Sequence, residues 1–222
     1  MAGRIVGALL TLGLLAGIGV TVGYVVGQRQ VREPTIFTTP VAVPASRPSF
    51  PVNVYDVQPD PTTAPLDAGL SLHEEKFRSD GFRLRAPVPD GWMRVELSGR
   101  NQWNFSVPAN PSNTYLLRIG LLAADRRSTG VETIARLAAL SAAEADGNFE
   151  NLIVEEQSDT GFTATYIDSS GYQRVSIERF ETVPGNESAY FSVAMSGREV
   201  DREAMVELLD RIVGDTYAPE TS

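Results

Sequence analysis

Hydrophobic residues follow three patterns along this chain of 222 residues. An unbroken apolar run extends from Ile5 to Val26, and apolar periodicity then disappears in a segment rich in proline. Further along, hydrophobic and polar residues alternate in most stretches, whereas two stretches have helical spacing. The patterns predict an anchor, residues 1–27, a Pro-rich linker, residues 28–79, a globular domain, residues 80–218, and a short tail, residues 219–222.

The apolar run from Ile5 to Val26 carries no charged side chain. As a helix its 22 residues span roughly 33 Å, against roughly 30 Å for the hydrocarbon core of a bilayer. The run is longer than the h-region of a signal peptide, and no A-x-A-like cleavage site lies between Tyr24 and Arg32. We expect an uncleaved signal anchor that crosses the cell membrane once.

The orientation of this anchor is predicted from the linker. The α-amine and Arg4 precede the apolar run, and Arg29 and Arg32 follow it, so the positive-inside comparison is nearly balanced. Eight of the 14 prolines lie in the linker, and the fixed φ of proline favours an extended tether. Because such a tether suits a domain held away from a bilayer, we expect a cytoplasmic N-terminus and an extracytoplasmic C-terminal domain.

Glycines recur at four-residue spacing within and just after the apolar run: Gly13 and Gly17, then Gly19, Gly23 and Gly27. Small residues at this spacing allow two membrane helices to approach closely. One interpretation is a homodimer or a partner helix, and the other is that glycine is simply frequent in membrane helices. Besides the lipid bilayer, the expected partners are a second copy of the chain or an envelope protein or ligand.

Alternation of apolar and polar residues predicts eight strands in the domain. They cover residues 82–86, 93–97, 103–107, 114–122, 151–157, 162–168, 172–183 and 191–195. The first two flank the turn residues Pro89-Asp90-Gly91 and are expected to form an antiparallel hairpin. The fourth is apolar on both faces, which is typical of a central strand covered on both sides.

Helical spacing appears twice in the domain. Thr129 and Glu132 have the spacing of a capping box, which predicts a helix start. This helix is expected to pack on a sheet through a stripe of mostly small residues: Ile134, Leu137, Ala138, Ser141, Ala142 and Ala145. A C-terminal helix is predicted from a second apolar stripe: Met205, Leu208, Leu209 and Ile212. The order of elements indicates an α+β fold, with a mostly antiparallel sheet of about six to eight strands covered by two helices.

The domain carries the whole net charge of −9, because acidic and basic residues balance before residue 80. An acidic domain repels phosphate backbones, so no nucleic-acid partner is expected. The chain has no cysteine, which excludes disulfides and a cysteine nucleophile. The single histidine, His73, cannot form a histidine-based metal site or a conventional triad alone. We therefore assign no catalytic, cofactor-binding or metal-binding residue.

Carboxylates are the remaining acid–base option. Six acidic residues cluster on three consecutive predicted strands and their turns: Glu155, Glu156, Asp159, Asp168, Glu178 and Glu181. Two of them could face each other as in a glycosidase, or all could lie on a solvated face. Arg174, Ser176 and Glu178 alternate with apolar residues, which favours the solvated face.

Aromatic residues offer a binding interpretation. Trp92, Trp103, Tyr166 and Tyr172 could line a ligand groove, since aromatic surfaces with a polar group suit recognition sites. Alternatively, the two tryptophans belong to the core. Tyr172 follows a turn glycine and is the aromatic residue expected to be exposed. The predicted contacts with a partner or ligand are Tyr172, Arg174 and Tyr166.

The motif PVPDGW at Pro87 to Trp92, followed by a strand meander, a mid-domain helix, further hairpins and an amphipathic C-terminal helix, resembles the PsbP-like α/β/α sandwich. That group includes actinobacterial LpqN-type envelope lipoproteins and similar domains of actinobacterial membrane proteins. The resemblance covers about Asp80 to Ala218. It implies a binding or accessory module and supplies no catalytic residues. This chain differs from the lipoprotein members in its spanning helix and in having no cysteine to lipidate.

The leading functional hypothesis is a membrane-anchored, extracytoplasmic, non-catalytic binding or accessory module of the cell envelope. The second is an envelope polysaccharide hydrolase that uses paired carboxylates. The third is a scaffold that dimerises through its membrane helix. A cleft with two facing carboxylates about 5 to 10 Å apart would favour the hydrolase.

Overall fold

The computed structural model describes residues 54–60, 62–97, 101–108, 110 and 114–219. The predicted anchor from Ile5 to Val26 and its glycines lie outside this part of the chain. Within the described residues, no helix is long and apolar enough to cross a bilayer. All of the described residues belong to one compact unit.

In these residues the chain forms nine strands and two α-helices. The strands are β1 Leu72–Ser79, β2 Phe82–Pro89, β3 Met93–Leu97, β4 Gln102–Ser106, β5 Leu116–Leu121, β6 Phe149–Ser158, β7 Gly161–Asp168, β8 Gln173–Val183 and β9 Asn186–Gly197. The helices are α1 Thr129–Ala145 and α2 Arg202–Gly214, and a 3-10 turn, Glu199–Asp201, leads into α2.

Seven strands form one antiparallel sheet in the order β3-β4-β5-β9-β8-β7-β6. The other two strands, β1 and β2, form a separate antiparallel hairpin. The predicted α+β fold with a mostly antiparallel sheet and two helices is therefore confirmed. The prediction of a central strand is also confirmed, because β5 lies between β4 and β9.

One face of the large sheet is apolar and holds the main core. Leu117 and Ile119 of β5 are fully buried there together with Val193 of β9. The β1–β2 hairpin adds Phe77, whose ring lies 4.8 Å from that of Trp103. Helix α2 packs on the same core, and its predicted apolar stripe is completely buried: Met205, Leu208, Leu209 and Ile212. This face supplies most of the hydrophobic stabilisation of the domain.

The opposite face of the sheet has a much smaller apolar cluster. Phe162, Ala164 and Phe180 form it, and Leu137 and Leu140 of α1 pack against it. The rest of this face is polar, and α1 covers only part of it. We call it the α1 face.

The predicted packing stripe of α1 is wrong, because most of it points to solvent. Ile134 is 63% exposed, and the alanines predicted to pack are exposed as well: Ala138, Ala142 and Ala145. The helix instead directs Thr133, Arg136 and Leu137 toward the domain. The reason is the composition of the α1 face, since a mostly polar surface requires a polar partner.

The start of α1 also differs by one residue from the prediction. Ser128 is the N-cap, and its hydroxyl accepts a hydrogen bond from the Val131 amide at 3.4 Å. Thr129 lies inside the helix, so the predicted capping box with Glu132 does not form. Either residue type can cap a helix, and the spacing alone does not distinguish them.

The predicted linker continued too far along the chain. Residues Leu72–Ser79 form β1, which pairs with β2 throughout. The turn between them is Asp80-Gly81, with φ values of 49° and 85°, as a two-residue hairpin turn requires. The predicted hairpin of β2 and β3 does not form, because β3 pairs with β4 in the large sheet.

Asp201, just before α2, holds the chain around Leu66 on the domain through hydrogen bonds. Asp201 accepts hydrogen bonds from the Leu66 amide at 3.1 Å, the Tyr115 hydroxyl at 2.6 Å and Arg198 Nε at 2.6 Å. Arg198 also donates to the Thr63 carbonyl at 3.2 Å. The side chain of Leu66 is buried in the main core. Part of the predicted linker is therefore integral to the domain.

Burial by itself would raise the pKa of Asp201. Hydrogen bonds from Arg198, Tyr115 and the Leu66 amide outweigh it, so the pKa lies below its ordinary value. As pH falls, the unfolded chain takes up this proton before the folded chain does. The lowered pKa therefore stabilises the fold above about pH 4, and the stabilisation is lost as pH falls toward the native pKa.

We predict that Asp201→Asn lowers the free energy of unfolding at neutral pH by about 1–3 kcal/mol, because Arg198 loses a charged acceptor. The variant should also lose less stability than wild type between about pH 7 and pH 3. Urea unfolding followed by tryptophan fluorescence measures both, since Trp92 and Trp103 are the only tryptophans of the chain. Asp210→Asn, at an exposed position of α2, is the matched control. Identical pH dependence in wild type and Asp201→Asn would contradict the prediction.

Candidate functional site

Polar residues meet on the α1 face where β5, β9 and β8 lie side by side. In the strand register, Arg118 of β5 and Glu178 of β8 are both opposite Ala194 of β9. The small side chain of Ala194 allows Arg118 to reach across β9. Its Nη2 donates to Glu178 Oε2 at 2.6 Å.

Helix α1 adds a second arginine to this pair. Arg136 Nε donates to the same oxygen of Glu178 at 3.0 Å. Glu178 is only 3% exposed, and the side chain of Arg118 is also largely buried. One carboxylate is therefore shared by two guanidinium groups from different layers of the fold. We call these three residues the Glu178 cluster.

The Glu178 cluster has hydrogen-bond donors to spare. A guanidinium carries five N–H bonds, and each arginine uses one of its nitrogens for Glu178. Among the described residues neither Arg118 nor Arg136 makes a further hydrogen bond. Burial lowers the pKa of Arg118, and the attraction of Glu178 opposes part of that effect. With one carboxylate against two guanidiniums, the cluster favours an additional anion.

A cavity of about 230 Å³ lies between α1 and the sheet, beside the Glu178 cluster. Its further polar lining consists of Asn101, Gln102, Ser192 and Glu132, and its apolar lining includes Leu122, Ala135 and Phe180. Gly120 also lines it, and a Cβ at that position would lie 2.8 Å from Ser192 Oγ. Glycine therefore keeps this part of the sheet open.

Glu132 is the second acidic residue of the cavity. It is only 8% exposed, and its Oε1 has no hydrogen-bond partner among the described residues. Arg127 Nη1 lies 3.8 Å from that oxygen. Burial raises the pKa of Glu132, and the charge of Arg127 opposes part of this shift. A buried carboxyl oxygen without a partner is costly for the fold and is available to a ligand.

A second cavity of about 220 Å³ lies beside the chain around Leu66. It is lined mainly by apolar side chains and backbone, including Leu70, Trp92, Val107 and Tyr115. Tyr115 donates to Asp201, and the charged lining residue Asp67 accepts from the Gly69 amide, whereas Thr63 Oγ1 is buried without a hydrogen-bond partner in the described part of the chain. A single neutral hydroxyl offers a ligand less than two guanidiniums with spare donors. The cavity beside the Glu178 cluster is therefore the better candidate for a functional site.

The structure brings the predicted contact residues Tyr172, Arg174 and Tyr166 close to one another. Arg174 lies over the Tyr172 ring at 4.9 Å and is opposite Tyr166 in the register of β7 and β8. Arg174 is 2% exposed, and it forms ion pairs with Asp60 at 2.6 Å and Asp168 at 3.1 Å. It therefore holds the segment before β1 against the sheet.

The expectation of a solvated face on β8 is wrong. Arg174, Ser176 and Glu178 are all buried, although they alternate with apolar residues as exposed residues would. Arg136 of α1 covers Glu178, and Asp60 contacts Arg174. Alternation thus identified the two faces of the strand correctly but did not reveal that both are covered.

The six predicted carboxylates do not share one partner set. Glu155 accepts from Arg202 at the start of α2, whereas Glu178 accepts from Arg136 of α1. Asp168 accepts from the amides of a turn, at Ser170 and Tyr172. Burial raises the pKa of Glu181, while Glu156 and Asp159 are exposed. In the described part of the chain, no three acidic or histidine residues are grouped as metal ligands.

Sequence reasoning missed Arg118, Arg136 and Glu132 as site residues. A usable signal was present for Arg118, because it lies in a strand predicted to be covered on both sides. A charged residue in such a strand must be paired. No comparable signal marked Arg136 or Glu132, since charged residues are ordinary on a helix.

We predict that Glu178→Gln destabilises the domain by about 3–5 kcal/mol, because it leaves two guanidinium groups close together without a carboxylate. The measurement is urea unfolding of the full-length protein, followed by tryptophan fluorescence. Glu156→Gln, at an exposed position of β6, is the matched control and should change stability by less than about 0.5 kcal/mol. Equal stability of the two variants would show that the cluster does not hold α1 on the sheet.

No protein-family model matches the chain, and no curated protein matches its sequence.

Proposed function

We propose that the protein is a membrane-anchored, extracytoplasmic binding or accessory module of the cell envelope, and that it is not an enzyme. The cavity beside the Glu178 cluster carries this proposal. The spare N–H groups of Arg118 and Arg136, and the Glu132 oxygen that lacks a hydrogen-bond partner in the described part of the chain, are groups that a ligand can satisfy. The membrane attachment rests on the apolar run from Ile5 to Val26.

The contacts of Glu178 support binding over catalysis. Arg118 and Arg136 both donate to one oxygen of its carboxyl group, which suits a fixed structural group. The resemblance of the sequence to the PsbP-like sandwich implies an accessory role.

The size of the cavity supports a small ligand or one unit of a larger one. Sites for drug-sized molecules occupy about 300–1,000 Å³, and this cavity has about 230 Å³. A terminal group of an envelope polymer would therefore fit better than an extended chain.

A polysaccharide hydrolase is the second candidate, and one observation favours it. Glu132 and Glu178 line the same cavity in opposite environments. Burial raises the pKa of Glu132, whereas Glu178 accepts hydrogen bonds from two arginines. Glycosidases use two carboxyl groups in different environments. Release of new reducing ends from envelope polysaccharide, absent in Glu132→Gln, would favour this candidate over the first.

We predict that protease added to intact cells removes the C-terminal domain, because the linker would be exposed outside the membrane. Immunoblotting for the domain measures the loss, with a cytoplasmic protein as the control for lysis. The same cells opened before digestion show that the linker can be cleaved. A domain that stays intact on cells whose known surface proteins are cut, but is removed after lysis, would contradict the proposed topology.

A further inference from the structure

We propose that the cavity between α1 and the sheet binds a sugar acid, with the carboxylate of the sugar on Arg118 and Arg136 and its hydroxyls on Glu132 and Ser192. This inference rests on the proposed function and specifies the ligand of the same site. Each part of it follows from a different group in the cavity.

The spare N–H donors of the Glu178 cluster favour a ligand group with a single negative charge. Two guanidiniums face Glu178, and Arg127 Nη1 lies 3.8 Å from Glu132 Oε1, so three arginines face two carboxylates and one positive charge is left over. A monoanionic carboxylate balances that charge, and a guanidinium can bind its two oxygens at once. A dianionic phosphate would bring an excess negative charge next to Glu178 and Glu132. The cluster therefore fits a carboxylate better than a phosphate.

The other polar groups favour a ligand with hydroxyls. The Oε1 of Glu132 is buried and has no hydrogen-bond partner within the described part of the chain. Ser192 adds a hydroxyl to the lining, whereas the side-chain amides of Asn101 and Gln102 already donate to Asp80 and Asn104. A simple fatty acid or acetate would leave the Glu132 oxygen without a donor, which costs free energy at a buried group. A hydroxylated ligand would satisfy that oxygen.

The apolar lining suits the C–H surface of a sugar ring. Leu122, Ala135 and Phe180 contribute apolar surface to the cavity lining. A ring that carries hydroxyls on its edge and C–H groups on its face can use both kinds of lining. The cavity volume of about 230 Å³ limits the ligand to about one such ring.

The test is calorimetric titration of the full-length protein in detergent with three probes: D-galacturonate, D-galactose and acetate. We expect galacturonate to bind at least about tenfold more tightly than either other probe, because galactose lacks the carboxylate and acetate lacks the hydroxyls. Equal affinity for galactose and galacturonate would overturn the carboxylate assignment. Equal affinity for acetate and galacturonate would overturn the sugar assignment.

Substitutions of single arginines test where galacturonate binds. Arg136→Gln should weaken galacturonate binding about tenfold or more, and Arg136→Lys, which keeps the charge but not the fork of donors, should weaken it less. Arg78→Gln removes the same charge from an exposed position of β1 and should leave the affinity unchanged. Unchanged affinity in both Arg136 variants would place the ligand elsewhere. Arg136→Lys keeps this test valid even if Arg136→Gln does not fold.

Failure of the ligand assignment can be separated from failure of the proposed function. A soluble carbohydrate extract of the envelope is added to the same protein, and the midpoint of thermal unfolding is measured. A rise in the midpoint with the extract, without binding of galacturonate at about 10 mM, overturns the sugar acid but keeps the binding module. No effect of either overturns both proposals.

Discussion

The sharing of one carboxylate between two arginines is the interaction on which the α1 layer depends. Glu178 accepts from Arg118 on the sheet and from Arg136 on α1. A sheet face with a charged centre cannot be covered by an apolar helix surface, so the helix turns a polar side toward it. That requirement explains why Ile134 is exposed. It also explains why a cavity remains, because long polar side chains keep the helix and the sheet apart.

One face of the large sheet provides most of the hydrophobic stabilisation of the domain, and we propose that the other face binds a ligand. The face toward α2 is packed with apolar side chains such as Leu117, Val193 and Leu208, which are completely buried. The α1 face contains most of the buried charges and an unpartnered carboxyl oxygen at Glu132. Packing alone does not require a sheet face with buried charges, such as the α1 face. Buried charges are weak evidence for stability, and replacing them with apolar residues is often neutral or favourable.

The sequence predicts this fold well where one physical pattern dominates, and less well elsewhere. The apolar stripe of α2 and the alternation of β5 are strong and unopposed, and both predictions are confirmed. The strand β1 was missed because residues from Leu72 to Ser79 are mostly polar and follow a proline-rich segment, although Asp80-Gly81 was a hairpin signal. In α1 the predicted stripe included three alanines that lie on the exposed side of the helix. The stripe therefore predicted the wrong side of the helix for packing on the sheet. The charge of Arg118 in a covered strand was the one available signal of the site.

We propose that the buried charges beside α1 serve binding. The most direct test replaces all three residues of the Glu178 cluster together. The triple variant Arg118→Met, Glu178→Leu, Arg136→Leu is unfolded in urea with and without D-galacturonate. We expect its free energy of unfolding to equal or exceed that of wild type without ligand, because no charge of the Glu178 cluster is left buried and unpaired. Galacturonate should stabilise wild type and leave the variant unchanged. A variant several kcal/mol less stable than wild type, yet stabilised equally by galacturonate, would contradict the account.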